Sequence, residues 1–136
     1  MNRPVTGPSG SEQEERNRQV VFDFYEHIIL ERGYDRWPEF MRPDYIQHKP
    51  ILIDGPQGVI DFMEENYARC TRHEPEIVRS FVDGDYVILH VQVRMEPYDR
   101  DIAVMDIFRV EGGLLAEHWD VDQPVPLEAK NTNGVF

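Results

Sequence analysis

The sequence predicts an α+β domain, with N-terminal helices packed on one face of a curved, cone-shaped antiparallel or mixed sheet. Three observations carry that reading. Apolar residues recur at helical spacing in the first half, at Val20, Val21, Phe24, Tyr25, Ile28 and Ile29, and again at Val59, Ile60, Phe62, Met63 and Tyr67. Beyond Pro75 the period changes to two. Near the C-terminus two apolar runs flank Glu111-Gly112-Gly113, a β-hairpin signal whose glycines are free to take positive φ. Helices first and a strand meander second is the segregation of an α+β fold. A strongly bent sheet closed by helices leaves an open-ended cone, and polar groups inside it define a pocket.

Taken in order, residues 1–11 are rich in Pro, Gly and Ser and read as a disordered arm. Ser11 with Glu14 fits a capping box, opening an amphipathic helix that runs to about Arg32 and is closed by Gly33. Tyr34 to Met41 reads as a second short helix or turn with Trp37 and Phe40 buried, stopped by Pro43. Asp44 to Pro50 is extended, with Tyr45 and Gln47 on one side and Ile46 and His48 on the other. Gly55-Pro56 opens a third helix ending near Arg72, and Pro75 ends any continuation. Glu76 to Val82 is a strand, Asp83-Gly84-Asp85 a turn, and Tyr86 to Met95 a long strand. One face of that strand carries Val87, Leu89, Val91 and Val93, and the other Tyr86, Ile88, His90, Gln92 and Arg94. Residues 12–123 thus form one domain. Residues 124–136, with Pro124, Pro126 and the ending Val135-Phe136, form a tail expected to pack on the domain or on a dimer partner.

The site is expected on the hairpin. His118, Asp120 and Asp122 alternate on its second strand, so their side chains share a face. On its first strand Asp106 interrupts the apolar row Ile102, Val104, Phe108 and Val110. A carboxylate there needs a hydrogen-bond partner or a wet cavity, because burying it ionised and unpaired costs several kcal/mol. Asp120 in an apolar pocket suits a general base, with His118 holding it or protonating an oxygen; the alternative is a structural pair capping a loop. Asp106 either faces the same cavity or bonds a backbone amide or Arg109. His48 and His90 have the parity to look inward, His90 beside Gln92, and Tyr45, Tyr67 and Tyr86 offer phenols. His118-x-Asp120 also begins a two-histidine, one-carboxylate metal site that His48 or His90 would complete, but neither a metal nor a cofactor is expected.

The chain has 136 residues and a net charge of −12, which argues against nucleic acid and anionic membranes as partners. No run approaches the length of a membrane span, and the start lacks the apolar core of a signal peptide. The single cysteine, Cys70, rules out an internal disulfide, so the default location is cytoplasmic. Gly55-Pro56-Gln57-Gly58 is a turn into a helix and not a phosphate loop. The outer hairpin face, with Ala103, Met105, Ile107, Leu115, Trp119 and Val121, is apolar enough to predict a homodimer through it.

Tyr45-Ile46-Gln47-His48-Lys49-Pro50, Asp83-Gly84-Asp85-Tyr86-Val87, Asp106-Ile107-Phe108-Arg109 and Glu117-His118-Trp119-Asp120-Val121 together resemble the SnoaL-like proteins of the nuclear transport factor 2-like superfamily. The resemblance runs from about Glu12 to the C-terminus. The tail looks like that of a branch labelled as predicted aldol-condensation enzymes. The resemblance implies the cone-shaped, cystatin-like fold and a cavity aspartate acting as acid/base beside a histidine, at the positions of Asp120 and His118. It also implies cofactor-free enolisation chemistry, a lyase or isomerase acting on a small hydrophobic carbonyl or polyketide-like compound. His48, His90, Asp106, Tyr45, Gln92 and Phe108 would contact that compound. The alternative is a binding protein of the same fold without turnover.

Overall fold

The structure, a computed structural model, describes the backbone of residues 5–6 and all of residues 10–136. Of the arm expected over 1–11, residues 1–4 and 7–9 lie outside the described residues; Val5–Thr6 forms strand β1 beside Arg79 and Ser80. Helix α1, Glu12–Phe24, begins as expected. The Ser11 hydroxyl accepts the Glu14 N–H at 3.1 Å, and the Glu14 carboxylate reaches back to the Gly10 N–H at 2.9 Å. The helix widens into a π-helical segment, Tyr25–Leu30, and buries Val21, Phe24, Tyr25, Ile28 and Ile29. Its end differs from the expectation. Arg32, not Gly33, takes the left-handed backbone, with φ 59°. Gly33 serves another purpose, since its N–H bonds the His27 carbonyl at 2.9 Å and a Cβ there would also sit 2.9 Å from that oxygen.

A 3-10 turn, Tyr34–Glu39, ends before Pro43 and leads into β2, Met41–Gln47, which includes Pro43. Phe40 is buried and Trp37 half-buried. Helix α2, Pro56–Arg69, buries Val59, Ile60 and Met63. The meander follows: β3, Arg72–Asp83; β4, Tyr86–Glu96; β5, Ile102–Glu111; β6, Leu114–Pro124. Strand β3 starts before Pro75, and Pro75 sits in it opposite Val93. Its other neighbour, β1, pairs with Arg79 and Ser80. Among the described residues nothing pairs with β3 at Pro75 on that side, and proline is tolerated on such an edge. At the β5–β6 hairpin Gly112 and Gly113 take φ 59° and 78°, and Glu111 pairs with Leu114, the tight turn the two glycines announce.

The six strands form one mixed, curved sheet in the order β1-β3-β4-β5-β6-β2, antiparallel through the meander, with β1 and β2 added in parallel at its edges. The helices cover its concave face, and Val87, Leu89, Val91, Phe108, Val110 and Leu115 meet α1 and α2 there. Leu115 is fully buried, not on the outer face. Arg109 pairs with Glu117 but Val110 with Leu115, so β6 carries a bulge there that resets the parity of the strand. Asn17 and Glu14 of α1 clasp the β3–β4 turn by bonds to the Gly84 carbonyl and N–H. Among the described residues no helix is long and apolar enough to cross a membrane.

Candidate functional site

The cone holds a cavity of about 300 Å³. Its walls are mostly apolar, drawn from α1 and the π-helical segment, α2, and the inward rows of β4 and β5. At its head β2, β5 and β6 bring polar groups together. Asp106 of β5 lies directly across from Asp120 of β6, and Phe108 across from His118. Gln47 of β2 is the parallel partner of His118. Two carboxylates opposite one another would repel, and the surroundings resolve this by giving each its own partner.

Asp106 is 5% exposed and takes two donors. The Tyr25 hydroxyl donates to its Oδ2, and His118 Nε2 lies 2.7 Å from its Oδ1. His118 therefore pairs diagonally with Asp106, not with Asp120 beside it on its own strand. The other ring nitrogen, Nδ1, lies 2.8 Å from Gln47 Oε1. That oxygen is identified by the Lys49 backbone N–H, which can only donate, at 3.0 Å. Gln47 Nε2 in turn donates to the Tyr45 hydroxyl at 3.2 Å. His118 Nδ1 must then carry a proton, and the 2.7 Å contact between Nε2 and Asp106 needs one more. Asp106 and His118 thus share a single proton, as carboxylate with imidazolium or as carboxylic acid with imidazole.

Asp120 has a different partner. Its Oδ2 accepts from Lys49 Nζ at 2.8 Å, and Asp122 Oδ2 takes a second Lys49 proton at 3.0 Å. The side chains of Lys49 and Asp120 are 10% and 7% exposed. Burial by itself would lower the Lys49 pKa, but the bonds to Asp120 and Asp122 outweigh it and hold the amine above its ordinary value, as ammonium. Desolvation, followed by the Asp106 charge, pushes the Tyr25 and Tyr45 phenols up, so both are neutral donors at physiological pH.

Of the residues expected at the site, Asp106, Phe108, His118, Asp120 and Tyr45 line the cavity. His48, His90 and Gln92 do not. His48 stacks on Trp119 at 4.8 Å and pairs with Glu117 at 2.7 Å on the outer face. His90 bonds Arg79 and lies against Phe136, and Gln92 bonds Asp101. Burying the row Val87, Leu89, Val91 and Val93 removes far more apolar surface from water, so that row takes the concave face and the polar row turns outward. Tyr86 is likewise on the outer face, 43% exposed, and the Tyr67 hydroxyl bonds the Ile29 carbonyl at 3.0 Å. Arg109, considered above as a partner of Asp106, bonds Glu117 and Glu111 instead.

Asp106, His118 and Asp120 each offer one possible ligand atom, all within 4.8 Å of one another. A cation there would compete with the Lys49 ammonium for Asp120 and with the proton shared by Asp106 and His118. Neither His48 nor His90 is on the right face to complete such a site.

Tyr25, Gln47, Lys49 and His73 also line the cavity, though sequence reasoning did not place them there. Tyr25 reads as one more apolar position of a helical stripe. For Gln47 and Lys49 a signal existed: both share the parity of the buried Tyr45.

None of the curated proteins matches this chain. Solved structures share its fold. A proposed polyketide cyclase from Bacillus cereus superposes with a TM-score of 0.75 over 90% of this chain and 87% of its own, at 20% identity. A proposed ketosteroid isomerase from Kribbella flavida gives 0.69 over 90% and 86%, at 16% identity. An LEH-like epoxide hydrolase of M. tuberculosis gives 0.65 over 82% and 85%, at 17% identity. The SnoaL-like domain model matches residues 21–118, well over half of the chain, and the protein belongs to the SnoaL-like family.

Proposed function

We propose that the chain catalyses enolisation of a small, hydrophobic carbonyl or polyketide-like compound without a cofactor, as a lyase or isomerase. One observation carries the reading: at the head of an apolar cavity, Asp120 lies beside the Asp106–His118 pair and its shared proton. Asp120 uses its Oδ1, the oxygen not held by Lys49, to take a proton from the carbon next to the carbonyl. The bonding electrons move to the carbonyl oxygen, and the third N–H of Lys49 stabilises the enolate. The proton held between Asp106 and His118 then serves the second half of the reaction. In an aldol closure it goes to the new alkoxide. In a dehydration it goes to the departing hydroxyl, which leaves as water. In an isomerisation Asp120 itself returns the proton to another carbon.

The test is deuterium uptake at the α-carbons of 2-decanone in D2O. Wild-type protein should accelerate it, and Asp120→Asn should lose about 100- to 10,000-fold of that acceleration with its circular dichroism unchanged. Unchanged exchange in the variant removes Asp120 from the role. The Lys49–Asp120 ion pair favours a second reading, a binding protein of the same fold, since an ammonium at 2.8 Å already occupies one oxygen of the carboxylate. Binding of 2-decanone with no exchange in wild-type protein selects it.

The same proposal includes a two-fold dimer through the convex sheet face. Its support is the number of exposed apolar side chains on that face, Ile46, Phe81, Tyr86, Met105 and Val121.

A further inference from the structure

Lys49 holds two carboxylates where one would neutralise it. Asp120 Oδ2 accepts from its Nζ at 2.8 Å, and Asp122 Oδ2 takes a second proton at 3.0 Å. All three residues line the cavity, and the Lys49 amine lies 5.6 Å from the centre of the Phe62 ring, another part of its wall. The side chains of Lys49 and Asp120 are nearly buried, while that of Asp122 is 46% exposed, so Asp122 is the solvent-facing member of the group. Asp106 and His118 share one proton and add no net charge, whichever of them holds it. Two carboxylates against one ammonium therefore leave the head of the cavity with an excess of negative charge.

That excess decides what the third N–H of Lys49 can take. Acceptors on different protons of one ammonium stand about 4.7 Å apart, for tetrahedral angles and contacts of about 2.9 Å. A ligand carboxylate at the third proton would gain one attraction across about 2.9 Å and suffer two repulsions across about 4.7 Å, and because Coulomb energy falls as 1/r the repulsions together exceed the attraction. Entering an apolar cavity costs the carboxylate its hydration besides. With only one of the two repulsions the attraction wins. A neutral carbonyl accepts the same hydrogen bond without a full charge to repel. An enolate formed in place is also accepted, because the proton that leaves its carbon neutralises Asp120 as the oxygen becomes charged.

We propose that Asp122 is a specificity-determining residue: it keeps the Lys49 ammonium from capturing carboxylates, so that the polar end of the ligand is a neutral carbonyl. This rests on the cavity reading above and narrows its substrate class. Free carboxylic acids and phosphate esters are rejected at this end of the cavity, and uncharged ketones, aldehydes or amides are admitted.

The experiment is isothermal calorimetry at about pH 8, where a carboxylic acid is fully ionised, with three ligands of one shape. These are 2-decanone, nonanamide and nonanoate, in which the methyl beside the ketone carbonyl is replaced by an amide nitrogen or a charged oxygen. Wild-type protein should bind the two neutral compounds and hold nonanoate roughly ten-fold or more weaker. Asp122→Asn keeps the shape and an acceptor for Lys49 but removes the charge. It should narrow that gap roughly five-fold, the ordinary weight of one half-exposed charge. Asp35→Asn lowers the net charge of the chain equally, at an exposed position that does not line the cavity, and should leave the gap as in wild type. Nonanoate that binds wild-type protein as tightly as the neutral pair overturns the proposal, a readout that needs no variant to fold. So does a gap that survives in Asp122→Asn or narrows equally in Asp35→Asn. In each of these cases the ketone still binds and the carbonyl cavity stands. Failure of all three compounds to bind overturns the cavity reading, and this inference with it.

Discussion

His118 and His73 are both buried in one cavity, and the partners around each decide what each can do. Both ring nitrogens of His118 face acceptors, Gln47 Oε1 and Asp106 Oδ1, so it must share a proton with a carboxylate. His73 faces apolar walls, and burial depresses its pKa. The consequence for stability has a definite sign. The unfolded chain, with an ordinary histidine pKa of 6.5, binds the proton more readily than the folded one. The stability due to neutral His73 is therefore fully present above about pH 6.5 and is lost as pH falls through the lower folded value. Urea midpoints measured between pH 7.5 and 5 should fall for the wild type, and the fall should be shallower for His73→Phe. Equal slopes would mean that His73 is as easily protonated in the fold as in solution.

At the scale of elements, the cavity depends on how closely α2 approaches the loop before it. Gly58 lies in the first turn of α2, and a Cβ there would sit 2.0 Å from the Ile53 carbonyl oxygen. That contact is with backbone, so no side-chain rotation relieves it. Gly58→Ala should force the helix start away from the loop and destabilise the protein by about 1–3 kcal/mol, the usual cost of overpacking. A denaturant midpoint equal to wild type would mean that the loop yields freely. The π-helical segment Tyr25–Leu30 has a comparable role on the other wall. It begins at Tyr25, whose hydroxyl it delivers to Asp106, and such wider turns are common where a helix carries a functional side chain.

For the molecule as a whole, the convex face of the sheet carries exposed apolar side chains among the described residues. Its polar members have partners: His48 with Glu117, Arg109 with Glu111 and Glu117, His90 with Arg79. Phe136 lies against His90. Val121 is 70% exposed and Met105 38%. Val121→Glu adds charge to this face without entering the core, so it should leave the monomer fold intact and shift sedimentation from dimer to monomer. A wild-type chain that sediments as a monomer at micromolar concentration removes the dimer from the proposal.

The sequence alone determined the α+β class, the order of elements and the hairpin, because each follows from local rules: the period of apolar residues, the Ser11–Glu14 cap, and two adjacent glycines with positive φ. It also marked Asp106, His118 and Asp120, since polar groups interrupting an apolar row are visible without a structure. Which of them pair was decided only by tertiary structure. Strand spacing along one chain puts His118 beside Asp120, but the cross-strand register hands His118 to Asp106 and leaves Asp120 for Lys49, some seventy residues earlier in the chain. The face taken by His48, His90 and Gln92 was decided in the same way. Alternation says that two sets of side chains point in opposite directions, but not which direction is inward. That choice falls to the whole sheet, which buries whichever row removes more apolar surface from water.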